Sequence, residues 1–269
     1  MVRPLGFLVG LGFITALVLA IVTTPWSNEP NVAYSFVKKP RHLALASDGL
    51  FPHWDQAQLQ RGMQVYKEVC SACHSLNLVA FRNIQDFGYT EGQVKSFAKS
   101  FQVPSVNPDT GEPATRDGLP SDHFPAPYAN DVAAAAANNN AIPPDLSLIT
   151  KARVDGKNYI YSLLTGYQNP PANLPKELHP GQGLHFNPYF PNLNLAMAKP
   201  LNDGQVTYAD NTTASVDQMS KDVTAFLVWT AEPNLVKRVW TGWAVILFVL
   251  IFTVLTYLSY RNIWADKKH

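Results

Sequence analysis

The chain has 269 residues, of which 46% are apolar and only 15% charged, with 21 basic and 20 acidic side chains and a net charge of +1. That balance argues against nucleic acid as a partner, and so little charge is lean for a wholly water-soluble protein. The length allows one large domain or two small ones.

The first element covers Met1–Val22. Arg3 precedes an uncharged run from Pro4 to Trp26, longer than a usual signal core and just long enough to span a bilayer. Ala44-Leu45-Ala46 has the form of a cleavage site but lies too far downstream. Residues 1–26 are read as a signal or membrane anchor, with the anchor preferred. Residues 27–54 carry Pro, Asn, His and basic pairs and read as an extended linker.

Asp55 is placed as the N-cap of a helix through Gln56 to Val69. Leu59, Met63, Tyr66 and Val69 recur at the spacing of one buried face. The helix leads into Cys70-Ser71-Ala72-Cys73-His74, which contains both cysteines of the chain. Residues i and i+3 share a face of a helical turn. Both thiols can therefore reach the vinyl groups of one haem, and the next imidazole can ligate its iron. A zinc site needs four ligands, and no second Cys or His pair stands at finger-like spacing. A thioredoxin-type pair would need alternating strands and helices around it. The motif reads as c-type haem attachment, which in bacteria places the domain in the periplasm. It commits both cysteines and leaves none for a disulfide.

Beyond the motif, Thr90 and Gln93 are placed as a capping box for a helix from Glu91 to Phe101. Residues 103–131, rich in Pro, Gly and Asp, read as surface loop. Ala133–Ala137 can form a helical turn ended by Asn138-Asn139-Asn140, after which Pro143-Pro144 forces an extended path. Lys157 to Leu164 reads as a helix stopped at Gly166, and residues 168–200 as a second long loop. Val206-Thr207-Tyr208 reads as half of a short hairpin. Ser215 and Gln218 form a second capping box, opening a helix that buries Met219, Val223, Phe226 and Leu227 and ends at Glu232-Pro233.

Val239–Leu258 is an uncharged run flanked by Lys237-Arg238 and Arg261, with Trp240, Trp243 and Tyr260 near its ends. Length, aromatic belt and basic flanks predict a transmembrane helix. The chain thus divides into residues 1–26, a periplasmic haem domain at 27–236, a span at 237–260 and a cytoplasmic tail at 261–269. The fold class is mostly α.

A haem that carries electrons needs a second axial ligand. Met1 is the start residue, Met63 sits on the helix feeding the proximal side, and Met219 fills a buried face. Met197 remains, in the loop Asn194–Pro200, with His179 and His185 as alternatives. An open sixth position would instead suit a gas-binding or sensor module, and a tethered shuttle could use the same haem without the long loops.

Several stretches in order resemble the cytochrome c1 family, the haem subunit of the quinol–cytochrome c reductase, from about Asp55 to the C-terminus. They are Arg61-Gly62-Met63-Gln64-Val65-Tyr66, Ala137-Asn138-Asn139, Pro143-Pro144-Asp145-Leu146-Ser147, Tyr161-Ser162-Leu163-Leu164-Thr165-Gly166-Tyr167 and Phe186-Asn187-Pro188-Tyr189-Phe190. The helix leading to Ala231-Glu232-Pro233 belongs with them. The resemblance implies one covalent haem c, held by Cys70 and Cys73 and ligated by His74 and Met197. It implies Arg153 on a propionate, and Asn138, Pro143, Pro144 and Tyr159 lining the pocket. Its implied partners are cytochrome b, the Rieske iron–sulfur protein, a cytochrome c acceptor and membrane lipid, in a dimeric complex. Asn140 stands where many relatives have Gly. The acidic residues Asp109, Glu112, Asp117 and Asp122 are scattered where mitochondrial members carry an acidic run.

Overall fold

The computed structural model describes residues 2–24 and 32–267. The end of the first apolar run, at 25–26, and the start of the linker, at 27–31, lie outside the described residues. The chain forms two compact units, Met1–Ser35 and Phe36–His269.

The first unit holds α1 (Val2–Thr23) and a 3₁₀ turn at Val32–Ser35. In α1, Thr15 and Thr23 donate their hydroxyls to the carbonyls of Leu11 and Leu19 at 2.8 and 2.6 Å. This internal bonding suits a segment whose polar groups meet no water. The window Gly6–Thr23 has a mean hydropathy of 2.4 and is long enough to cross a membrane.

The second unit is mostly helical. Helix α2 (Gln56–Glu68) starts where Asp55 accepts the Gln58 N–H at 3.0 Å. Leu59, Gly62, Met63, Val65 and Tyr66 form its buried face. α3 (Glu91–Lys99) opens on the expected reciprocal box between Thr90 and Gln93. α4 (Asp131–Ala137) is capped by Asn130, and α5 spans Gly156–Thr165. α6 (Val216–Ala231) packs against both α2 and α5. Where α2 meets α6, Phe87, Phe226 and Trp229 stack closely, with Phe87 and Trp229 edge to face at 4.5 Å.

Only half of the expected second box forms. Ser215 accepts from the Gln218 N–H at 3.1 Å, but the Gln218 amide turns to Asp222 at 2.9 Å. Asp222 is fully buried, and a buried carboxylate needs donors more than an exposed helix end does. Arg61 supplies another at 3.0 Å while reaching Asp210 at 2.7 Å.

Three readings need correction, and the stop at Gly166 holds for a different reason. Residues 103–131 are not all loop: β1 (Gln102–Val106) and β2 (Pro113–Asp117) pair antiparallel, and Val103 is buried in the core. No strand forms at residues 206–208; Val206 and Tyr208 are each buried in the main core instead. Gly166 ends α5 with an ordinary negative φ of −96°. Its reason is space, because a Cβ there would lie 2.5 Å from Tyr189 Cδ2. The linker also does more than span. Leu43 and Leu45 enter the core, and the N–H groups of Arg41 and Leu43 bond Ser162 and Asn158 on α5, both at 2.7 Å.

The loop at 168–200 carries only a 3₁₀ turn at Lys176–Leu178 and the paired two-residue strands β3 (His185–Phe186) and β4 (Asn194–Leu195). Finally, α7 runs over Leu235–Trp264, with a mean hydropathy of 2.2 and its apolar window unburied. Its 30 residues reach about 45 Å at 1.5 Å per residue, enough for the hydrocarbon layer and both interfaces.

Candidate functional site

Helix α2 ends at Glu68, and Cys70–Ala72 tighten into a 3₁₀ turn. The N–H groups of Cys73 and His74 both bond the Cys70 carbonyl, at 3.1 and 2.9 Å. Ser71 ties the turn back to the Lys67 carbonyl at 2.7 Å. Both thiols are free and half-buried. Burial, with Cys73 adding to it, pushes the Cys70 thiol up to about 12.

The His74 ring is fixed from behind. Its Nδ1 lies 2.8 Å from the Pro144 carbonyl oxygen. A carbonyl only accepts, so Nδ1 carries the proton and Nε2 keeps its lone pair. Burial lowers the pKa of His74 against the opposing pull of Pro144 and Asp145, which favours the neutral ring that a metal requires. Tyr66 donates to the His74 carbonyl at 3.1 Å, anchoring the turn to the core.

Pro144 is held in turn. The Asp145 carboxylate accepts from Ser75 Oγ at 2.9 Å and from the N–H groups of Asn77 and Ser147, both at 2.8 Å. Burial works against that carboxylate, but these bonds outweigh it and keep its pKa below the usual range. Pro143 is half-buried and Pro144 exposed. Asn138, at the end of α4, donates to Tyr128 Oη at 3.0 Å and the Ala134 carbonyl at 2.8 Å. Asn139 and Asn140 follow with φ of 52° and 59°, a left-handed pair that Asn tolerates better than most residues.

A second group forms around α5. Arg153 is exposed just before the helix, and its charge acts on the half-buried Tyr159. Burial raises the pKa of Tyr167, with Tyr159 contributing, so Tyr167 stays a donor at neutral pH. Its hydroxyl bonds the Met197 carbonyl at 3.0 Å. Met197 is half-buried. The two groups meet through Asn139, whose amide bonds the Gly183 carbonyl in the Met197-bearing loop at 3.2 Å. His179 has a ring nitrogen against the Leu174 carbonyl at 3.2 Å, and His185 sits in β3.

The residues fit a covalent haem. The thiols are unpaired on one turn, and the imidazole presents a free Nε2. Leu78, four residues after His74, and Ile142, two before Pro144, are both more than half exposed and offer apolar surface. Among the described residues no three His, Cys, Asp or Glu side chains cluster as a bare metal ion would need. Three contributors carry no assigned role in the sequence reading. Asp145 follows two prolines, a turn signal, whereas Tyr167 and Asn139 act through partners 30 and 44 residues away.

A family model described as the Cytochrome C1 family matches residues 45–267. Cytochrome c1 of Rhodospirillum rubrum is 46% identical over 233 residues, covering 82% of this chain and 86% of that protein. The mitochondrial heme protein cytochrome c1-2 of Solanum tuberosum is 47% identical over 221 residues, covering 82% of this chain and 83% of its own length. A protein named cytochrome b/c1 from Bradyrhizobium diazoefficiens is 43% identical over 237 residues, which cover 81% of this chain and 34% of that protein. The chain belongs to the cytochrome c1 family, whose members carry a covalently bound haem c as the electron-transfer subunit of the bc1 complex.

Proposed function

We propose that this chain takes single electrons from a Rieske iron–sulfur centre and passes them through its haem to a soluble or membrane-anchored cytochrome c. The observation that carries the reading is the His74 ring, oriented by the Pro144 carbonyl at 2.8 Å so that Nε2 remains a ligand. When bound, the haem supplies a one-electron iron couple. Cys70 and Cys73 hold it by two thioethers, and His74 and Met197 ligate the iron. Methionine raises the potential relative to a second histidine. Arg153 neutralises a propionate, and Asn138, Pro143, Pro144 and Tyr159 shape the pocket walls.

In this reading the quinol–cytochrome c oxidoreductase activity belongs to the assembled, dimeric complex, with quinol chemistry on cytochrome b. The name cytochrome b/c1 of one relative supports that association. The haem domain at 27–236 faces the bacterial periplasm, residues 237–260 span the inner membrane, and the tail at 261–269 is cytoplasmic. Residues 1–26 are a retained anchor or a cleaved signal.

The test is Met197→Ala in the full chain purified from membranes, with the redox midpoint and carbon monoxide binding as readouts. The midpoint should fall, and the reduced variant should bind carbon monoxide while the parent does not. Carbon monoxide binding by the parent at neutral pH would instead make this an open, gas-binding haem.

A further inference from the structure

The loop from Gly49 to His53 is fastened to the first turns of α7. Trp240 donates its indole N–H to the Pro52 carbonyl at 3.1 Å, and Trp243 donates to the Leu50 carbonyl at 2.8 Å. The Phe51 ring lies near both indoles, with centroids at 5.8 and 6.2 Å. Gly49 turns the chain with φ +80°, a conformation that other residues rarely adopt. Despite these contacts, Leu50 and Phe51 remain 65% and 68% exposed.

Position along α7 sets the depth of this loop. Lys237 and Arg238 mark where the uncharged run starts, at Val239. Trp243 lies four residues further on, about 6 Å deeper at 1.5 Å per residue. Tryptophans at such a level form the belt at the headgroup–acyl boundary. Leu50 is bonded to Trp243 and therefore shares its level. Residues 49–52 carry no charge, and the adjacent Asp48 is paired with Lys157. Two large apolar side chains thus stand exposed beside the apolar surface of α7, below its basic pair.

We propose that Leu50 and Phe51 enter the bilayer next to α7, giving the haem domain a membrane contact besides its apolar helices. The occupant of this patch is lipid acyl chain, because the patch continues the apolar surface of the spanning helix. The loop, joined to α7 by the indole hydrogen bonds, restricts the tilt of the domain about that helix. The inference rests on α7 as a spanning helix.

The test places a photoreactive side chain, as Phe51→p-benzoylphenylalanine, in the full chain in native membranes. The same substitution at Phe248, midway along α7, reports on the span. At Val154, 93% exposed and remote from α7 in sequence, it serves as the aqueous control. Illumination should give adducts of phospholipid mass at positions 51 and 248 and none at 154. Lipid at 248 with only protein adducts, or none, at 51 would overturn the inference while leaving the span intact. Absence of lipid adducts at 248 would overturn the span and the inference with it.

Discussion

A methyl group at Gly62 would stand 2.1 Å from the carbonyl oxygen of Asp222 and 2.7 Å from Phe226 Cβ. Glycine therefore sets the separation of α6 from α2, the helix that leads into the Cys70–His74 turn. Gly62→Ala should force them apart. Overpacking of this kind costs about 1–3 kcal/mol, and for a domain near this size each kcal/mol lowers the melting temperature by about 2–4 °C. A fall of roughly 5 °C in the melting of the haem-loaded protein is expected, against no fall for Gly92→Ala, where a Cβ meets nothing within 4 Å and alanine favours the helix.

Asp122 supplies a pH dependence. Arg116 and then the Leu119 N–H hold its carboxyl down to about 2, through bonds of 2.6 and 2.8 Å from the guanidinium and 2.7 Å from the backbone. The folded pKa lies below the unfolded value, so this contribution is complete above about pH 4 and drains as pH falls through about 2. Solvent around the exposed Arg116 screens the pair and keeps the contribution small. Asp122→Asn should melt lower at pH 5, with the gap closing as pH approaches 2. A gap that persists at low pH would assign the loss to packing of the 118–124 segment instead.

What could be read from the sequence follows the range of the interactions. Asp55, Thr90 and Ser215 cap helices through partners three residues away, and that proximity makes such signals legible. The Cys70–His74 motif is legible for the same reason, since its three residues lie within five positions. The β1–β2 hairpin is not, because its strands carry Pro104 and Pro113 and expose most positions, which erases the alternating pattern. The run at 36–54 resembles a linker since its order comes from Ser162 and Asn158, more than a hundred residues away. Gly166 shows a correct stop for a different reason: the expected turn glycine is a packing glycine.

Asn140 tests what the left-handed residue before Pro143 requires. With φ of 59°, the backbone adopts the conformation that glycine would take, and the Asn140 N–H still bonds the Ala135 carbonyl at 2.9 Å. Asn140→Gly should therefore change stability by no more than about 0.5 kcal/mol, whereas Asn140→Ala should cost about 1 kcal/mol for the left-handed residue. Denaturant titration of the two variants measures the difference. Equal stability of Ala and Gly would mean that the loop before Pro143 relaxes freely.

Tyr167 offers the sharpest test of the loop that carries Met197. Its hydroxyl is the donor to the Met197 carbonyl at 3.0 Å, and burial keeps it protonated. Tyr167→Phe retains the ring and removes only that bond, worth about 1 kcal/mol. If Met197 is the axial ligand, the lost restraint should appear at the iron. Added imidazole should displace the methionine from the oxidised protein at a roughly fivefold lower concentration, with the melting temperature down by about 2–4 °C. A purely structural tyrosine would lower the melting temperature alone. Unchanged imidazole titration in a destabilised variant would therefore detach Tyr167 from the iron site, and unchanged titration in Met197→Ala as well would remove Met197 from the ligand set.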